Sequence, residues 1–239
     1  MGSDDGKKPN HAQEGLPKVT ASRNYALPFI FVFVIGAIGL AIAYAIFTNG
    51  DTAKYEARIK EVVRSEHHWA FAAAAVLGAT IRLVNFYPAV HKQMIMLRNS
   101  GNLRSNPFIY KAIGAGASMK HVVFDDDGEV GKYNRANRSL HHMIENFGSV
   151  LAGLFLASTV FPYPVFVCVC VFCVGRVAHQ VGYTTGAPLS SPRPPLSLPV
   201  SLGPRPVGYG GHGIGFALSA LASAAIEGML GFVAIKAFS

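Results

Sequence analysis

Charge is scarce in this chain, and acidic charge is the scarcest. Only 14% of the 239 residues are Asp, Glu, Lys or Arg, and 13 acidic side chains face 21 basic ones. Apolar residues make up 51% of the chain, and the mean hydropathy is +0.32. A soluble domain needs a charged surface around its core, so this composition argues against one and points to a membrane protein.

Cysteine is also rare. The three cysteines, Cys168, Cys170 and Cys173, all lie in one apolar run. They imply no disulfide framework, and no histidine or carboxylate is interleaved with them to complete a metal site. The nine histidines show no ligand spacing either. We therefore interpret the cysteines as small buried side chains and expect no metal.

Long apolar runs, by contrast, are abundant. A membrane-spanning helix needs about 20 mostly apolar residues, and five segments come close to this length or exceed it. The first is too long for a signal peptide and is interpreted as a retained anchor helix. The sequence therefore predicts an all-α, multi-pass integral membrane protein. The predicted spans are 28–48, 69–90, 144–161, 164–183 and 209–238.

Charge and composition divide the chain into three parts. Residues 1–24 are polar and predict a disordered cytosolic tail, residues 25–50 carry the anchor helix, and residues 66–239 form a four-helix membrane domain. Basic residues cluster in the tail and in 91–143, which five spans place together on the cytosolic side. This distribution accounts for the net charge of +8 without a nucleic-acid partner.

Three connecting segments carry little apolar patterning. Residues 49–68 are interpreted as a loop, and Asp125-Asp126-Asp127-Gly128 as a solvated turn that lacks the spaced oxygen ligands of a calcium loop. Residues 189–204 are proline-rich. Because such extended backbone cannot face lipid, we place this segment in a cytosolic loop of the membrane domain.

Ionisable residues at membrane depth are candidates for function, because each costs at least about 2–3 kcal/mol unless it is paired. At the start of the third predicted span, Arg138, His142 and Glu145 stand at i, i+4 and i+7 and share one helix face. Such a face suits a ligand that carries both carboxylate and ammonium groups. The alternative is interfacial snorkelling with an internal salt bridge, which explains Arg135 more easily than Glu145.

The fourth predicted span carries a second polar face. Arg176, His179 and Tyr183 stand at i, i+3 and i+7. A lipid-facing arginine would be costly, so this face is expected to point into the protein and to form an anion-binding pocket with the first face. Arg82 in the second span either contributes to that pocket or pairs with a carboxylate such as Glu145.

Three segments carry a resemblance to a known family. They are KYNRANRSLHHMIENF at 132–147, GRVAHQVGYTTGAP at 175–188 and PRPVGYGG at 204–211. Their order and spacing resemble those of the MAPEG superfamily, the membrane-associated proteins of eicosanoid and glutathione metabolism. Within it, the chain looks most similar to the microsomal glutathione transferases of the third type.

The resemblance implies a fold and an activity. It implies a MAPEG-like four-helix bundle that forms a homotrimer, to which this chain adds one N-terminal helix. Glutathione would be the co-substrate, bound between subunits near the cytosolic surface, and the second substrate would be a lipophilic electrophile or lipid hydroperoxide. The expected location is the endoplasmic reticulum membrane, with outer mitochondrial and plastid membranes as alternatives.

The resemblance also assigns residues to roles. Arg205 matches the arginine that stabilises the glutathione thiolate, and such a cation lowers the pKa of a thiol. Because the proline-rich segment directly precedes Arg205, Arg193 is the alternative. The residues implied to bind glutathione are Arg135, Arg138, His142, Glu145, Arg176, His179, Tyr183 and Tyr209.

Two other functions remain open at this point. One is a non-catalytic MAPEG-type protein that binds a lipid between subunits and presents it to a partner. The other is a structural membrane subunit that docks through its extra helix, in which case the polar faces serve packing alone.

Overall fold

The described residues of the chain form six helices and one short hairpin. The computed structural model describes residues 23–95, 107–113, 121–186 and 207–239. Nearly all of the predicted tail 1–24 and all of the proline-rich segment 189–204 therefore lie outside the described residues. The all-α class is confirmed. The elements are α1 (Ala26–Asn49), α2 (Thr52–Arg64), α3 (His68–Ile95), β1 (Tyr110–Ile113), β2 (His121–Phe124), α4 (Gly128–Ala157), α5 (Pro162–Thr185) and α6 (Val207–Ala237).

Four helices in the described part of the chain are long and apolar enough to cross a membrane. They are α1, α3, α5 and, over residues 212–237, α6. The fourth helix, α4, which contains most of the predicted span 144–161, is not among them, because polar residues such as His142, Glu145 and Asn146 extend past its middle. A fifth crossing by α4 therefore stays a prediction.

Helices α3 to α6 form the bundle. Their core is aliphatic and aromatic, and its members are almost completely buried. At one end of the bundle, the Trp69 and Tyr163 rings meet at 4.9 Å, as expected of aromatic residues at a membrane interface. Core members from the four helices include Leu77, Val84, Met143, Leu154, Phe172 and Ile226.

The closest helix pair in this bundle is α5 with α6, and glycine makes the approach possible. A Cβ atom on Gly175 would lie 2.7 Å from the backbone nitrogen of Ser219, and one on Gly215 would overlap the backbone of His179. Side chains larger than hydrogen at these two positions would push the helices apart. Small residues serve helix packing in this way throughout membrane proteins.

The segment between the first two spans is a helix, and the interpretation of 49–68 as a loop was wrong. Asp51 caps α2 by accepting a hydrogen bond from the Lys54 backbone nitrogen at 3.0 Å. The apolar side of α2, with Tyr55 and Ile59, lines a groove against α1 and α3. The segment is thus an amphipathic helix, in which acidic and basic residues of balanced number accompany an apolar side.

A hairpin closes the end of the bundle at which α4 begins. Strands β1 and β2 pair antiparallel, with Tyr110 opposite Phe124. The buried Asn134 side chain of α4 accepts from the Ile109 backbone nitrogen at 2.9 Å and donates to the carbonyls of Ile109 and Asp125, both at 2.7 Å. One side chain thus fastens both strands to the helix.

The acidic turn that follows β2 is only partly solvated, because Asp125 is buried while the side chains of Asp126 and Asp127 are 33% and 34% exposed. Asp125 is 1% exposed, and its carboxylate lies 3.4 Å from the Lys111 ammonium of β1. Lys111 also contacts Asp127, and this hydrogen bond raises the pKa of Lys111 above its usual value. A buried carboxylate needs a cationic partner such as Lys111. The turn is therefore part of the packed end of the molecule.

Candidate functional site

Arg176 is the buried cation at the centre of the polar faces. Its side chain on α5 is 1% exposed, as expected of an arginine that cannot face lipid. One terminal nitrogen donates to Nδ1 of His142 at 2.9 Å, and the other donates to the Ser139 carbonyl at 2.9 Å. Because guanidinium can only donate, His142 Nδ1 is the acceptor. Nε of Arg176 has no hydrogen-bond partner.

Aromatic rings extend this polar centre toward the end of α5. The buried His179 ring stacks on Tyr183 at 5.5 Å and lies 5.6 Å from His142, and its Nδ1 is 2.8 Å from the Ser139 hydroxyl. His212 of α6 packs against both His179 and Tyr183, at 4.6 and 4.8 Å. The predicted face on α5 therefore points into the bundle.

Arg138 and Glu145 lie on the outside of α4. Their side chains form an ion pair at 3.6 Å and are 53% and 55% exposed. They belong to the same stripe as His142, but His142 turns toward Arg176 while these two charges face away from α5 and α6. Of the three residues of the first face, His142 alone contacts the second face, and the Arg138–Glu145 pair stays outside the internal pocket. The pair is accessible to a ligand or to a second subunit.

Arg135 is directed inward instead. It is 8% exposed, its Nε donates to the Thr184 carbonyl at 3.3 Å, and one terminal nitrogen donates to the Asp126 carbonyl at 2.7 Å. These bonds tie the end of α5 to the acidic turn that follows β2. Its role in glutathione binding stays a prediction, and the contacts in this chain are structural ones.

Arg82 and Glu145 do not pair within the described residues, because Glu145 contacts Arg138 instead. Nε of Arg82 is buried without a hydrogen-bond partner. Arg193 and Arg205 lie outside the described residues. Tyr209 lies in α6, but its side chain is not described. The thiolate-stabilising role of Arg205, or of Arg193, therefore stays a prediction.

A cavity of about 280 Å³ opens beside Arg176, between α4, α5 and α6. Its lining combines apolar surface with the two polar partners Arg176 and His142 and with the carboxylate of Glu227. Arg176 forms no ion pair with the described carboxylates, but the carboxylate of Glu227 stands in the same lining, so the cavity offers a ligand one charge of each sign. The other lining residues include Asn146, Phe172, Phe216 and Ser219.

One group in the described part of the chain has the composition of a cation site, namely Asp125, Asp126 and Asp127. The Lys111 ammonium already lies against all three carboxylates, at 3.4 Å from Asp125 and 3.8 Å from Asp126 and in a hydrogen bond to Asp127. An internal cation thus occupies the position that a metal would take. The expectation of no metal stays a prediction.

Sequence reasoning missed several residues of this region. Ser139 joins both polar faces through its carbonyl and hydroxyl, and His212 contributes a ring from α6. Gln180 donates from Nε2 to the Ala136 carbonyl at 2.9 Å and clamps α5 to α4. Ser139 stands at i+4 from Arg135 on a polar helix, but only the contact with α5 distinguishes it from a solvated serine.

Comparison with known proteins gives one match. A family model described as the MAPEG family matches residues 89–198, a little under half of the chain. The matched residues include the hairpin, α4 and α5, with both polar faces, and end before Arg205 and α6. No curated protein and no solved structure matches the chain.

Proposed function

We propose that this chain is a MAPEG-family enzyme of the membrane that activates glutathione as its thiolate. It would conjugate glutathione to lipophilic electrophiles or use it to reduce lipid hydroperoxides. The observation that carries the proposal is the family match over 89–198 together with the polar residues it encloses. The nearest subtype is proposed to be the microsomal glutathione transferases of the third type, on the resemblance of residues 175–188.

The charges on α4 and α5 are consistent with a glutathione site. Glutathione carries two carboxylates and an ammonium group, and Arg138 with Glu145 offers one exposed charge of each sign at 3.6 Å. Arginine binds carboxylates through two parallel hydrogen bonds. Because the pair faces outward, a second subunit would complete the site, as the proposed homotrimer requires. Arg176 supplies positive potential behind His142.

The chemistry begins with removal of the thiol proton. An arginine beside the sulfur favours the thiolate, which is the nucleophile, and Arg205 is proposed for this role, with Arg193 as the alternative. In conjugation, the thiolate forms a carbon–sulfur bond and the electrophile takes up the electron pair. In peroxide reduction, the thiolate attacks the peroxide oxygen and releases the alcohol, and a second glutathione converts the sulfenic acid to disulfide and water.

The test is a titration of the purified full chain with glutathione at neutral pH, followed by difference absorbance in the thiolate band. A saturable signal is expected, because binding and thiol activation occur together. Arg205→Ala should abolish that signal and turnover while the affinity measured by calorimetry stays within a few-fold. Arg193→Ala is the matched control, since it removes the same charge from the same segment.

Two results would change this proposal. A loss of the thiolate signal in Arg193→Ala, with Arg205→Ala normal, would transfer the role to Arg193. No glutathione binding by a folded, homogeneous wild-type oligomer would refute the enzyme and favour a lipid-presenting or structural protein.

A further inference from the structure

An apolar cleft of about 340 Å³ lies between α1, α3 and α5, away from the polar centre beside Arg176. This volume falls in the range of small-molecule sites, about 300–1,000 Å³. One wall comes from α1, which lies outside the residues matched to the family. The lining residues from α1 and α3 are Tyr25, Phe29, Leu83, Val84 and Tyr87, and those from α5 are Val177, Gln180, Val181 and Thr185.

Gln180 is the polar residue that distinguishes this cleft from a simple packing gap. Its side chain is 2% exposed. Nε2 donates to the Ala136 carbonyl at 2.9 Å, which fixes the amide so that Oε1 is the acceptor. That oxygen is buried and accepts no hydrogen bond in the structure. At membrane depth no bulk water is present to satisfy it.

The lining also limits the charge of an occupant. None of the nine lining residues carries a charge, and the polar groups among them are the side chains of Tyr25, Tyr87, Thr185 and Gln180. An ionised head group would find no counter-charge in the lining, and the nearby cation Arg23 already pairs with Glu129, so burial of that charge is unfavourable. An entirely apolar molecule would fill the space but would leave Gln180 Oε1 unsatisfied.

We propose that the cleft between α1, α3 and α5 binds a neutral lipophile that carries one hydroxyl or amide N–H and donates it to Gln180 Oε1. The lipophile reaches the cleft from the bilayer, and its apolar part packs against Phe29, Leu83 and Val177. The site is separate from the proposed glutathione site and does not depend on it. The extra N-terminal helix thereby acquires a function, because it supplies a wall of the site.

The test is photo-crosslinking of the full chain in phosphatidylcholine nanodiscs, since phosphatidylcholine has no hydrogen-bond donor. The probe is 1-hexadecanol with a mid-chain diazirine, and the labelled peptides are identified by mass spectrometry. Saturable labelling is expected on residues 25–29 and 177–185. Unlabelled 1-hexadecanol should compete about five- to tenfold better than hexadecane, the ratio expected for one net hydrogen bond. It should also compete better than palmitate.

Two variants distinguish the contribution of the hydrogen bond to Gln180 Oε1 from that of the volume of the cleft. Gln180→Met should retain labelling but lose the preference for alcohol over alkane. Val181→Phe should reduce saturable labelling at least tenfold by filling the cleft. Val174→Phe is its matched control, because Val174 is an exposed valine of the same helix that does not line the cleft. Val181→Phe remains informative even where Gln180→Met disturbs the contact with Ala136.

Three results would overturn the proposal. Equal competition by hexadecane and hexadecanol would mean that the labelling reports only ordinary contact with bilayer lipid. Better competition by palmitate would contradict the neutral head group. Unsaturable labelling spread along the outer surface of α1, for example at Phe33, would exclude a discrete site. Glutathione binding, measured on the Val181→Phe variant, should stay unchanged, so this proposal and the proposed enzyme fail independently.

Discussion

Mutation of the Arg138–Glu145 ion pair distinguishes a role in glutathione binding from a role in folding more clearly than mutation of any other pair in the site. We expect Arg138→Gln to weaken glutathione binding strongly while leaving stability almost unchanged. Both side chains are more than half exposed and lie 3.6 Å apart. Exposed pairs of this kind contribute roughly 0–1 kcal/mol to folding, so the bundle should tolerate the loss.

The magnitude for binding follows from the type of contact. An arginine that holds a ligand carboxylate makes charge-assisted hydrogen bonds worth about 1.5–3 kcal/mol. Their loss corresponds to a weakening of about 10- to 150-fold in Kd. The assay is isothermal titration of the detergent-purified oligomer with glutathione, accompanied by thermal unfolding of the same samples. Arg64→Gln on the surface of α2 is the control and should change neither quantity.

The refuting result is an affinity within twofold of wild type. In that case Arg138 is only the cation of a surface salt bridge, and the outward face of α4 has no part in glutathione binding. A parallel fall in melting temperature and affinity would instead assign the pair to packing between subunits. Glu145→Gln tests the same face from the other charge, and it should also lower affinity without lowering stability.

Two further predictions concern stability. Gly215→Ala should destabilise the chain by about 1–3 kcal/mol in thermal unfolding, because the added methyl group would overlap the backbone of α5, whereas Gly213→Ala should be tolerated, since nothing lies near that position. Lys111→Met should speed amide hydrogen exchange in β1 and β2, because it leaves the buried Asp125 carboxylate without its ammonium partner. The hydrogen bond to Asp127 raises the pKa of Lys111, so the hairpin should keep its protection below pH 10.5 and lose it only as the pH rises through the raised value.

Each stability prediction has a contradicting result. Equal melting temperatures for the two glycine variants would mean that α5 and α6 are not in close contact at Gly215. For the hairpin, Lys60→Met on α2 is the control. Exchange in the hairpin that is the same in the Lys111→Met and Lys60→Met variants would show that the ammonium does not hold the turn. Hairpin protection that is lost between neutral pH and pH 10.5 would contradict the sign of the Lys111 pKa shift.

Hydropathy alone predicted most of the helices. The sequence segments that form α1, α3, α5 and α6 carry little or no charge. In a bilayer, an apolar segment of this length is expected to be a membrane-spanning helix. The helix α2 was missed because its charges balance and its apolar side is short. The hairpin was missed because its anchor, Asn134, lies ten residues beyond β2 in sequence, and a single asparagine gives no local signal of that contact.

The candidate site could be predicted only in part, since periodicity gives the face of a helix but not the neighbour it meets. Helical periodicity, with the cost of a lipid-facing arginine, predicted that Arg176 and His179 point into the protein, and both side chains are buried in the structure. The same argument could not separate His142, which turns inward, from Arg138, which faces out, because both lie on one stripe. The inward bonds of Arg135 depend on the carbonyls of Asp126 and Thr184, which come from different parts of the chain.

The exposure of α1 has a consequence for how this chain assembles. No α1 residue belongs to the core of the bundle, and Pro28 is its one buried residue. Its backbone hydrogen bonds lie within the helix or with residues next to it in sequence, such as Asn24 and Thr52, so lateral departure into lipid would break none of these. Between helices in lipid there is no hydrophobic penalty for separation, but packing such as the stack of Phe31 on Phe86 and the ion pair of Arg23 with Glu129 would be lost. We therefore expect α1 to insert as a unit of its own and the remaining bundle to form without it.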